Sequence, residues 1–88
     1  MKIETFNTGR RYTAEGQRIA WATVDGVTYF VDYDRSIYAG LNHEATTNAE
    51  VLAAYDAGDY GEMVPVDIER ELIRAATGDP DAKPKGFA

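Results

Sequence analysis

The sequence predicts an α+β domain, a three- to four-stranded antiparallel meander followed by two short helices packed on one face. Three observations predict it. Residues 17–34 alternate around Asp25-Gly26 as a β-hairpin does. Two later segments carry helix start and stop signals. No repeat or low-complexity tract separates the parts, and 88 residues suffice for one domain. The domain is expected to span residues 1–78, with 79–88 as a flexible C-terminal tail.

Residues 2–6 alternate weakly and read as a strand. Turn signals follow at Asn7-Thr8-Gly9 and Ala14-Glu15-Gly16, with a second extended segment available at 10–13. Either 2–6 or 10–13 is expected to pair beside 17–24. The hairpin comes next. Asp-Gly is favoured at the centre of a two-residue type I′ turn, where both residues need φ > 0. Counting outward sets Val24 opposite Val27, Thr23 opposite Thr28, Ala22 opposite Tyr29, Trp21 opposite Phe30, Ala20 opposite Val31, and Ile19 opposite Asp32. Side chains alternate between faces. One face therefore carries Ala20, Ala22, Val24, Val27, Tyr29 and Val31, with room for a helix over the alanines. The other carries Ile19, Trp21, Thr23, Thr28, Phe30 and Asp32. Two readings of this second face stand: a core face, covered by the N-terminal segment, or the open face of a one-layer sheet that meets a partner.

Residues 35–41 read as a short strand or a loop. Thr47-Asn48-Ala49-Glu50 fits a capping box. A helix is expected over 48–57, with Val51, Leu52 and Tyr55 inward and Gly58 as its left-handed stop. Residues 59–62 read as a loop. Pro65 suits the start of a second helix and Asp67 its first turn. That helix should run over 66–77, with Ile68, Leu72, Ile73, Ala75 and Ala76 inward, an exposed Glu71–Arg74 pair, and an end at Gly78.

The chain has no cysteine. This excludes disulfides, cysteine-ligated zinc and thiol nucleophiles. With no apolar run resembling a leader or a membrane span, a cytoplasmic location is expected. The net charge of −6 argues against direct contact with nucleic acid, which needs clustered Lys and Arg, and against an acidic membrane surface. The charge is uneven. Residues 36–69 hold seven carboxylates (Glu44, Glu50, Asp56, Asp59, Glu62, Asp67 and Glu69) and no Lys or Arg. Such a run keeps a small protein soluble, and it also steers a basic partner.

No cofactor, metal or catalytic motif is assigned. Asp32-Tyr33-Asp34-Arg35-Ser36 opens like a calcium loop, but Ile37 stands where the loop needs Gly and His43 where it needs Glu. His43 is the only histidine, and an enzyme would draw on it with Asp32 or Asp34. In length, in the acid-only run 36–69, and in its sheet-plus-helices pattern, the chain resembles small, acidic, cysteine-free phage and mobile-element proteins, including anti-CRISPR proteins. The resemblance implies an inhibitor that binds a host nucleoprotein complex and blocks DNA or guide access. It transfers no functional residue.

The leading expectation is a non-catalytic inhibitor that engages a basic, nucleic-acid-handling protein. Its candidate contacts are Ile19, Trp21 and Phe30 on the hairpin, Asp32, Asp34 and Tyr38 just beyond it, and Asp56, Asp59, Tyr60 and Glu62 in the acidic run. The alternative is a self-associating domain whose Trp21–Phe30 face is a homodimer interface. The third reading is the enzyme built on His43.

Overall fold

A computed structural model describes residues 2–6 and 18–83 of the chain. The expected turns at 7–9 and 14–16, the alternative strand at 10–13, and the end of the tail from 84 lie outside the described residues. The described residues form one antiparallel sheet of five strands, β1 (Ile3–Phe6), β2 (Ile19–Val24), β3 (Val27–Asp32), β4 (Ile37–Leu41) and β5 (Tyr60–Glu62), in the order β1-β2-β3-β4-β5. Helix α1 (Asn48–Ala57) lies between β4 and β5 in the chain, and helix α2 (Val66–Thr77) follows β5.

The hairpin register is the one counted from its turn, from Val24 opposite Val27 to Ile19 opposite Asp32. Asp25 and Gly26 have φ of 52° and 81°, the left-handed values that a type I′ turn demands. Segment 2–6 supplies the neighbour of β2, with Ile3 opposite Ala22 and Thr5 opposite Ala20. Both helices keep their expected bounds. Gly58 and Gly78 end them at φ of 70° and 72°. Their N–H groups close back onto carbonyls of the last turns, at Ala54 and Tyr55 in α1 and Arg74 in α2. At the start of α1 the Glu50 amide donates to Thr47 Oγ1 at 3.2 Å. The Glu50 side chain accepts from the Thr46 and Thr47 hydroxyls, each at 3.1 Å.

Two features differ from the sequence expectation. The sheet has five strands rather than three or four. Residues 37–41 are a strand, and the fifth strand falls where 59–62 reads as a loop. Three residues around Gly61 are too few for an alternating pattern. Pairing with β4 makes them a strand, Leu41 opposite Tyr60 and Gly40 opposite Glu62, with a register shift between. Gly40 is needed there: a Cβ on it would stand 2.7 Å from Glu62 Cβ and 3.1 Å from Tyr29 Cδ1.

The second difference is that the helices pack on opposite faces. Helix α2 sets Leu72 and Ile73 on Ala20, Ala22 and Val31, flanked by Ile3, Tyr29, Tyr38 and Ile68. Helix α1 sets Val51, Leu52, Ala54 and Tyr55 on Ile19, Trp21, Phe30, Ala39 and Leu41. The result is three layers, helix–sheet–helix, with a core on each side of the sheet. The small alanines admit one helix closely. The large apolar side chains of the other face must also leave water, each worth roughly 1.5–3 kcal/mol when buried, and α1 is what covers them.

Candidate functional site

The second face of the hairpin is mixed because its polar atoms meet partners from residues 45–55. Thr28 Oγ1 accepts from the Ala45 amide at 2.9 Å and lies 2.7 Å from Thr23 Oγ1. Both hydroxyls are also within hydrogen-bond distance of the Ala45 carbonyl. The Trp21 indole donates to Asn48 Oδ1 at 2.6 Å. The Tyr55 hydroxyl donates to Asp32 Oδ2 at 2.7 Å. Burial, the larger cause, and the hydrogen bond to Asp32 push the Tyr55 hydroxyl well above its ordinary range.

This arrangement corrects much of the expected contact set. Ile19, Phe30 and Asp32 are fully buried and Trp21 is 6% exposed, so the hairpin offers no open face for a partner or a second copy there. Asp32 also accepts from the Arg35 amide at 3.4 Å, and the Arg35 guanidinium stands 4.0 Å away. Asp34 is engaged by Arg18 through a side-chain pair at 2.6 Å and through the Arg18 amide at 2.8 Å. That hydrogen bonding raises the Arg18 pKa further. Tyr38 is half-buried beside the α2 core. Tyr60 is half-buried against Phe30 and Tyr55, with ring centroids 5.2 and 5.9 Å apart.

Asp56, Asp59 and Glu62 remain at the surface, around the β5 end of the sheet. They do not share one face. Asp56 is on the outer side of α1. Glu62, opposite Gly40, stands on the α2 side of the sheet. Asp59 is at the corner between α1 and β5, where its amide donates to the Ala54 carbonyl at 2.9 Å. Its side chain accepts from Asn42 Nδ2 at 2.7 Å and lies 3.2 Å from His43 Nε2. This corner gathers Asn42, His43 and Asp59, a grouping that linear spacing does not reveal. His43 follows the far end of β4 from Ile37, which pairs with Asp32, so His43, Asp32 and Asp34 do not converge. Among the described residues, no group of three or more His, Cys, Asp or Glu side chains is placed to hold a metal ion.

The charges divide by region. Lys2 pairs with Glu4 at 3.0 Å, Arg18 with Asp34, Arg35 with Asp32, and Arg74 with Glu71 at 3.1 Å. Glu44, Glu50, Asp56 and Glu62 have no cationic partner among the described residues. Among the described residues, Met63 at 86% and Val66 at 67% are the exposed large apolar side chains; they follow Glu62 in the chain. Their one sequence signal is that they fit neither the strand alternation nor the inward stripe of α2. A cleft of about 210 Å³ opens at the opposite edge, lined by Lys2, Glu4, Trp21, Thr23, Glu44, Ala45 and Thr46.

No protein-family model, curated protein or solved structure matches the chain. Among the described residues, no helix is long and apolar enough to cross a membrane.

Proposed function

We propose that this protein is a non-catalytic inhibitor that binds a basic, nucleic-acid-handling protein through its acidic β4–α1–β5 end, in the manner of anti-CRISPR proteins. One observation carries the reading. Each described cation from Lys2 to Arg35 is held by a carboxylate of the N-terminal half, whereas Glu50 and Asp56 on α1 and Glu62 on β5 have no cationic partner among the described residues. Unneutralised carboxylates attract a cationic groove over roughly a Debye length, about 8 Å at physiological salt, and raise the encounter rate. A partner whose groove normally holds nucleic acid would then be blocked by competition for the same cations.

The test is capture of partners from nuclease-treated host lysate at low and high salt, followed by competition. The protein should lower the captured partner's affinity for nucleic acid, and the effect should weaken as salt rises. The double change Asp56→Lys with Glu62→Lys should abolish competition with no change in melting temperature. Asp59 is left intact in that variant because it anchors Asn42. Salt-independent binding, or a captured partner that keeps its nucleic acid, overturns the proposal.

A further inference from the structure

We propose that the outer edge of β5 is a docking strand, which takes a basic, extended segment of the partner protein as a sixth strand of the sheet. The inference rests on the acidic-surface reading above and names where and how the contact is made. β5 ends the sheet, and among the described residues no strand lies beyond it. A terminal strand presents unpaired N–H and C=O groups that pair with an added strand. Space around Gly61 is open, with nothing within 4 Å of where a Cβ would stand. Of the two exposed large hydrophobic residues among those described, Met63 comes directly after the strand and Val66 opens α2 three residues later. They supply apolar surface for side chains of an incoming segment.

Charge selects the occupant. Natural edge strands are commonly guarded by charged side chains, lysine above all. The opposite edge strand, β1, has a Lys2–Glu4 pair at its start. The β5 edge has Asp59 and Glu62, with no Lys or Arg anywhere in 36–69. Two copies of the chain, each of net charge −6, would bring two acidic edges together. A lysine- or arginine-bearing strand meets the same edge with complementary charge, and its backbone completes the hydrogen bonding.

The experiment uses the full chain and two peptides of alternating lysine and valine, one unmodified and one N-methylated at every backbone amide, which blocks both strand edges. The two have equal charge, but only the first can pair along a strand. The first should bind at low salt and slow amide exchange at 60–62. The second should bind about tenfold more weakly or worse, from the loss of two or so hydrogen bonds. Glu62→Lys should weaken the first peptide by a similar factor. Equal binding of the two peptides overturns the docking strand and leaves the acidic-surface reading standing. Failure of both to bind overturns both. Self-association with protected 60–62 and no peptide present assigns the edge to a second copy and also overturns the proposal.

Discussion

The two faces of the sheet are covered by different means. Under α2 the contact is aliphatic: Leu72 and Ile73 on Ala20, Ala22 and Val31. At its margin the Thr5 hydroxyl donates to the Ala75 carbonyl at 3.3 Å. Under α1 and the loop before it, apolar packing is combined with Thr28–Ala45, Trp21–Asn48 and Tyr55–Asp32 hydrogen bonds spaced down the hairpin. Apolar burial is non-directional, and a buried polar atom that loses its partner is costly. The α2 face therefore sets how much area is buried. The α1 face also dictates where along the hairpin the 45–55 segment sits. That placement directs the chain back along β4 as β5, and so positions the acidic corner.

The strongest way to break this comparison is a cavity on each side. Phe30 touches the rings of both Tyr55 and Tyr60, with centroids 5.0 and 5.2 Å away. Phe30→Ala should cost about 3–5 kcal/mol, and Leu72→Ala on the other face about 2–5 kcal/mol. Urea unfolding measures both. The Phe30 variant should additionally lose amide protection in β5, and the Leu72 variant should not. A Leu72 variant that releases β5 first would refute the assignment of β5 to the α1 side.

The next effect is smaller and tests the polar anchoring itself. Tyr55→Phe removes the hydroxyl that donates to buried Asp32 and should cost about 1–3 kcal/mol. It also carries a pH signature. The Tyr55 pKa is raised in the fold above the ordinary value of about 10. The unfolded chain therefore releases this proton first. The stability associated with it is complete below pH about 10 and is lost as pH rises through the folded-state value. Melting temperatures between pH 8 and 11 should fall more steeply for the native chain than for Tyr55→Phe. Parallel curves would mean that Tyr55 does not carry the alkaline loss.

The smallest expected effect lies on the outside of α2. Glu71 and Arg74 pair at 3.1 Å, three residues apart and partly exposed. Glu71→Ala should change stability by no more than about 0.5 kcal/mol. The change should fade at high salt, measured as unfolding midpoints with and without added chloride.

How much of this was legible in the sequence follows from the range of each interaction. Asp25-Gly26 carries its turn within two residues, and the six facing pairs follow by counting. Gly58 and Gly78 end their helices, and Thr47 starts one, through contacts no more than four residues away. The α2 stripe of Ile68, Leu72 and Ile73 is likewise local. Of the expected partner contacts, Asp56, Asp59 and Glu62 are at the surface, while Ile19, Trp21, Phe30 and Asp32 are core. The hairpin register placed those four on one face correctly, but it could not say what lay above them. Nothing in three residues around Gly61 marks a strand, and nothing near His43 points to Asp59.

By itself, then, the sequence determined the hairpin, its register, both helices with their ends, and the separation of charge along the chain. These rest on φ preferences, caps and side-chain periodicity, all of which act over a few residues. Only the tertiary structure decided which face α1 covers, that 60–62 completes the sheet, and which carboxylates are left unneutralised. Those outcomes depend on groups 16 to 27 positions apart, Arg18 with Asp34, Asp32 with Tyr55 and Trp21 with Asn48. Such pairs meet only where packing of the apolar faces brings their elements together.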